Sequence, residues 1–371
     1  MAAHKSFSAR ADIEAILASR DAVRTDVAVL QPADPFLDTA GEELRRRIFL
    51  TQGGNGAAMC LRPEFTIPVC LKHINSGAAH GRYGYVGTVF RQRPNGSSEF
   101  LQAGIEDIGD RDVMTADARS LADSLACLDA LGAPKNSTVI IGDQAVFDAV
   151  LTALGLPSGW RVRLSHAFGD DGALNAALDK LAEPAKLPTL PDDVQAAIAH
   201  GQTAVCEVIQ SHMDAAGLTN SGGRTAQEIA KRLVAKAGAV QDVDDAPRAE
   251  KLAVLRQFLR LRAPMVEATA MLEAFEQEHG LNISGALAAF AKRNAAFVAA
   301  GINLRGSTYS ASFGRSLDYY SGLIFEVRAA SGEVLVGGGR YDKLLPLLGA
   351  KEPTTGVGFS LWLDRIAQVS R

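Results

Sequence analysis

Gly314-Arg315-Ser316-Leu317-Asp318-Tyr319-Tyr320-Ser321-Gly322-Leu323-Ile324-Phe325-Glu326-Val327, followed after a short polar turn by Val336-Gly337-Gly338-Gly339-Arg340-Tyr341-Asp342, decides the reading of this chain. Leu323 to Arg328 is rich in β-branched and aromatic residues. Ala330-Ser331-Gly332 is turn material, and Val334 opens a returning strand, so the spacing predicts a β-hairpin. Three consecutive glycines then leave a strip of backbone without side chains, which another group can approach closely. Arg315 precedes the hairpin, Arg340 follows the glycines, and Tyr319, Tyr320 and Tyr341 put three phenols in the same segments. A bare sheet floor ringed by guanidinium and phenol groups suits a small polar ligand. A tight sheet turn with surface arginines fits the same pattern.

Outward from the hairpin the chain changes character twice. Residues 9–22 carry apolar side chains at helical spacing, 27–30 reads as a short strand stopped by Pro32, and 36–49 as a second amphipathic helix. Asn55-Gly56 signals a hairpin turn. Residues 67–74 read as a helix, 82–91 and 100–108 as strands around a Pro94-Asn95-Gly96 turn, 115–131 as a helix, 138–142 as a buried strand and 145–154 as a helix. From about 157 to 300 strand signals nearly vanish and helical segments dominate (172–181, 191–198, 223–237, 246–261, 265–279, 284–299). Strands return at Leu304, and 357–366 reads as a strand running into a helix. Neither flank is long enough to close its own sheet. The expected organisation is therefore one discontinuous core, residues 1–160 and 286–371, carrying a mainly helical insertion at 161–285.

The chain has 371 residues, 47% hydrophobic and 22% charged, with a net charge of -4. It carries no global basic field of the kind that marks nucleic-acid binders. No apolar run approaches a membrane span. Arg45-Arg46-Arg47 reads as a solvated helix face. The four cysteines (Cys60, Cys70, Cys127, Cys206) are widely spaced in apolar surroundings with no CxxC, so they read as reduced core residues of a cytoplasmic protein, with no metal site or disulfide frame.

Five pieces in order resemble the class II aminoacyl-tRNA synthetases, specifically histidyl-tRNA synthetase. Val29-Leu30-Gln31-Pro32 with Phe36-Leu37-Asp38 looks like the dimer-forming first motif. Leu61-Arg62-Pro63-Glu64-Phe65-Thr66 resembles Leu-Arg-Pro-Glu-Gly-Thr. Residues 89–106 look like motif 2, Arg315 to Tyr320 resembles the histidine-specific Arg-Gly-Leu-Asp-Tyr-Tyr, and Gly356 to Arg365 resembles motif 3. The resemblance implies an α+β fold with a mixed, largely antiparallel sheet flanked by helices, and a homodimeric core. It implies a histidine pocket made by Glu64, Thr66, Gln102, Glu106, Arg315, Tyr320 and Tyr341. Carboxylates suit an ammonium group, and carboxylates and phenols can partner an imidazole. Arg91 and Arg365 match the class-defining, phosphate-gripping arginines; in this chain they are expected to serve as salt-bridge donors to carboxylates, with retained ATP binding as the alternative.

Departures from the pattern point to a non-catalytic relative. Trp362 stands where motif 3 has a glycine beside the nucleotide, and an indole fills space that an adenylate needs. The motif 2 loop, Arg93-Pro94-Asn95-Gly96-Ser97-Ser98, lacks the usual acid and arginines. Ser316 and Phe65 replace glycines and are expected to crowd the same site. No counterpart of the anticodon-binding domain is expected after Arg365. This combination resembles the regulatory-subunit family of ATP phosphoribosyltransferase. That resemblance implies no catalytic residues, cofactor or metal. It also implies a short-form catalytic subunit as partner in a hetero-octamer, and histidine feedback acting at this pocket or at a subunit interface. The alternative is a free-standing class II enzyme that activates histidine with ATP.

Overall fold

The computed structural model describes the whole chain except residues 1, 40, 55, 94–95, 184–189, 218–224, 242–244, 316, 318 and 371. Among the described residues the strands are β1 (Val23–Arg24), β2 (Leu30–Pro32), β3 (Leu50–Gln52), β4 (Ala58–Leu61), β5 (Gly81–Phe90), β6 (Glu99–Ile108), β7 (Thr138–Asp143), β8 (Arg262–Pro264), β9 (Ser307–Ser310), β10 (Leu323–Arg328), β11 (Val334–Arg340) and β12 (Gly356–Trp362). Nine form one sheet in the order β1-β5-β6-β12-β11-β10-β7-β9-β8. Only β1–β5 and β7–β9 pair in parallel. The sheet is therefore mixed and largely antiparallel. It interleaves strands from both ends of the sequence, as the short flanks required.

The expected hairpin is β10–β11, with Ile324 opposite Gly339 and Glu326 opposite Gly337. On β11's other side Gly339 faces Gly358, which in turn faces Glu106 of β6. Side chains alternate along a strand, so Gln102, Glu106, Gly358, Trp362 and Gly337 share one face. Arg340 belongs to the opposite face. It is buried there against Asp117 at 2.7 Å and Asp342 at 2.9 Å, so it does not ring the ligand face as the sequence suggested. Asp117 also receives Arg293 at 2.7 Å, and Arg293 pairs with Asp143. This buried network ties β7 and β11 to the helices Val113–Ala130 and Ser284–Ala299.

The chain divides into two compact units. One comprises residues 1–149, 168–170 and 258–371; the other comprises 150–167 and 171–257. The second unit thus ends well before residue 285, because the helices Met265–His279 and Ser284–Ala299 fall in the first unit. The second unit is helical. Part of its interior is a small cluster of Ala197, Val205 and Ala230, with Ile209 and Leu233 packed on it.

Some local expectations were displaced. The 27–30 strand lies instead at β2 and includes Pro32, which is tolerated because β2 is an edge of the three-stranded sheet β2-β4-β3. The 36–49 helix is split into Asp34–Thr39 and Glu42–Arg45 around Gly41. Helices Ser158–Ala167 and Gln202–Ala215, and strand β8, appear where none was read. The two helices bury few residues, Leu164 and Ala167 in one and Val205 in the other, so their periodic signal is thin. Asn55, Pro94 and Asn95 lie outside the described residues, although β3 and β4 do form the hairpin that Asn55-Gly56 implied.

Candidate ligand-binding site

Glu64 stands just before the helix Thr66–Ser76, and its carboxylate accepts from the Thr66 and Ile67 amides at 2.6 and 2.9 Å. These are amides that the helix's first turn cannot satisfy internally. The cap sets Thr66 so that its hydroxyl donates to Glu106 Oε1 at 2.7 Å. Tyr341 donates to Glu106 Oε2 at 2.5 Å. Tyr85 reaches Oε1 at 3.4 Å and shares a 2.7 Å bond with Ser360. Gly358 opposite is required here, because a Cβ would strike the Glu106 carboxylate. Among the described residues no cationic side chain bonds either carboxylate. Burial accordingly pushes Glu106 up to about 8 and holds Glu64 above the usual carboxylate range.

Gln102 lies four residues along β6 from Glu106, about 13 Å at the usual strand rise. Around that end the groups are cationic. Arg315 pairs with Glu326 at 2.7 Å, and Arg328 grips the other Glu326 oxygen with two nitrogens. Trp362 is 5% exposed and has guanidinium groups from Arg315 and Arg365 at 5.3 and 5.2 Å from its ring, within cation–π range. Arg365 also donates to the Val334 carbonyl at 2.9 Å and lies 3.6 Å from Glu333. Arg91 donates to the Pro63 carbonyl at 2.7 Å, and burial lowers it to about 10. The salt-bridge role expected for both arginines thus appears at Arg365, while Arg91 bonds a backbone carbonyl.

All ten residues singled out from the sequence (Glu64, Thr66, Gln102, Glu106, Arg315, Tyr320, Tyr341, Arg91, Trp362 and Arg365) line one cavity of about 340 Å³. The bare glycine strip is not open to it throughout. The Arg315 guanidinium lies over Gly337, and the Tyr320 ring lies against Gly339. The close approach that the glycines permit is therefore made largely by the chain's own side chains. Phe65 is not among the lining residues; it stacks on Tyr85 at 4.4 Å beneath the Arg62 guanidinium. Ser316 lies outside the described residues. Arg47, read as part of a solvated run, lines the cavity, as do Arg93, read only as the start of the motif 2 loop, and Glu326 and Arg328, to which the sequence reading gave no role. Strand alternation from Glu326 to Arg328 was a usable signal for the last two, and alternation along β5 for Tyr85.

His80, Asp107 and Asp110 are spaced to hold a metal ion, but Arg82 and Arg119 already pair with the carboxylates. Among the described residues no helix is long and apolar enough to cross a membrane.

The family model for histidyl-tRNA synthetase matches residues 24–206 and 194–366. A solved structure from Bacillus halodurans, described as an ATP phosphoribosyltransferase regulatory subunit/histidyl-tRNA synthetase, superposes with a TM-score of 0.62 at 18% identity. It covers 97% of this chain and 77% of that one. Histidyl-tRNA synthetase from Nostoc gives 0.62 at 14% identity, covering 98% and 71%. The fold is thus the histidyl-tRNA synthetase-like class II fold. Two relatives are each 50% identical: one from Mesorhizobium japonicum, covering 96% of this chain and 95% of its own length, and one from Agrobacterium fabrum, covering 95% and 94%. Both are named ATP phosphoribosyltransferase regulatory subunit. The chain belongs to the family of ATP phosphoribosyltransferase regulatory subunits.

Proposed function

We propose that this chain is a non-catalytic subunit that binds a short-form ATP phosphoribosyltransferase catalytic subunit, is needed for its full activity, and confers inhibition by histidine in the first step of histidine biosynthesis. One observation carries the reading. Trp362, nearly buried, stands between the Arg315 and Arg365 guanidinium groups on the lining of the cavity, and the Glu64, Glu106 and Tyr341 side chains on the same lining suit a small cation-bearing ligand. Histidine fits that description, with an ammonium group for the carboxylates and an imidazole for carboxylate and phenol. The proposal extends to a homodimeric core within a hetero-octamer. Val29, Leu30 and Leu50, on and beside the three-stranded sheet, are exposed apolar side chains that suit self-association. The chain acts in the cytoplasm on this reading, with no nucleic-acid partner.

ATP–pyrophosphate exchange tests the non-catalytic role. The purified chain given ATP and histidine should exchange no pyrophosphate. Robust histidine-dependent exchange would mean an amino-acid-activating enzyme, and would overturn the role assigned to Trp362.

A further inference from the structure

Glu106 is 1% exposed and accepts from Thr66, Tyr341 and, at longer range, Tyr85. The titratable and polar groups that face it come from every packed element. They are Thr66 and Cys70 on the helix, Glu64 before it, Tyr85 on β5, Tyr341 after β11, and Tyr319 and Tyr320 before β10. None is a cation. Arg315 is tied to Glu326, and the field of Arg91 falls on Glu64. The hydroxyl bonds favour the charged form, but burial, a second carboxylate alongside and the lack of a counter-cation outweigh them and make the neutral acid more stable. An independent feature of the same cavity points to a ligand. Gln102 lines the cavity at 1% exposure, and among the described residues its carbonyl oxygen has no hydrogen-bond partner. It is a buried acceptor to which no described residue donates.

We propose that the ligand-free protein holds Glu106 as a neutral acid and takes its ligand as a cation, the proton leaving Glu106 as the ion pair forms. The proton passes to solvent when the ligand arrives positive, and onto the ring nitrogen when it arrives as a neutral imidazole. Either way the O–H bond of Glu106 breaks, and a carboxylate faces a positive N–H group. This rests on the histidine reading above and adds a proton switch to it.

Infrared difference spectra of the full chain at pH 7, with and without histidine, test it, with calorimetry reporting binding. The expected result is loss of a protonated-carboxyl stretch on histidine addition, a loss missing from Glu106→Gln and moved in frequency by Glu106→Asp. The second variant assigns the band should the first fail to fold. Histidine heat without any change in the carboxyl region would overturn the switch. If no histidine heat is found, the histidine reading fails separately, and a pH titration of the chain without histidine decides the rest. A carboxyl band that fades as pH crosses about 8 upholds the neutral Glu106, and its absence at pH 6 overturns it.

Discussion

Glu106 carries a consequence for the free protein as well as for its ligand. Its proton is held up to about pH 8 in the folded chain, against an ordinary value of 4.5. Between those values the unfolded chain has released this proton while the folded chain keeps it, so this group makes stability fall as pH rises through the window. The span is worth roughly 5 kcal/mol. Glu106→Gln removes the titration. Denaturant melts at pH 5 and pH 8.5 should therefore show the variant gaining on the parent at the higher pH; a constant difference between them would count against a neutral Glu106. Trp362 gives a second residue-scale test. It is nearly buried between two guanidinium groups, and Trp362→Gly should cost on the order of 3 kcal/mol or more as a large-to-small change. A thermal melt unchanged by the substitution would contradict the packing.

At the scale of elements, the β10–β11 hairpin and its glycines set the geometry of the floor. A Cβ on Gly338 would lie 2.5 Å from both the Gly358 carbonyl oxygen and the Phe325 ring. Neither can move without disturbing the sheet. A Cβ on Gly337 would meet only the guanidinium end of Arg315 among its nearest neighbours. Gly338→Ala should thus destabilise by about 1–3 kcal/mol, and Gly337→Ala by less; equal melting shifts would argue against this register. Asp117→Ala leaves Arg293 and Arg340 buried without it, and should cost about 3–5 kcal/mol in chemical denaturation.

The hairpin, β5, β6 and the helix Thr66–Ser76 were legible in the sequence because turn residues bracket alternating or helical apolar patterns. The cavity was legible as a set of residues, since its motifs lie in order along the chain. What covers what was not. The Arg315 guanidinium over Gly337, the Phe65 ring under Arg62 and the burial of Arg340 on the sheet's other face all depend on register and strand face, which one missed position reverses. Split helices and the edge-strand proline were lost for a similar reason. Gly41 and Pro32 each fit two local structures, and packing chooses between them.

At the scale of the whole molecule, the nine-stranded sheet draws on both ends of the chain, so the candidate site is built only when distant segments meet. Glu64 and Glu106 come from the first part of the chain, while Tyr341 and Trp362 come from the last. Family membership at 50% identity over nearly the full length sets the expected partner, and the cavity sets the expected effector. The most direct measurement is phosphoribosyl-ATP formation by a short-form catalytic subunit, alone and mixed with this chain, with and without histidine. The account predicts weak activity alone, full activity in the mixture, and loss of that gain when histidine is added. A catalytic subunit equally active with and without this chain, and equally indifferent to histidine, would contradict it.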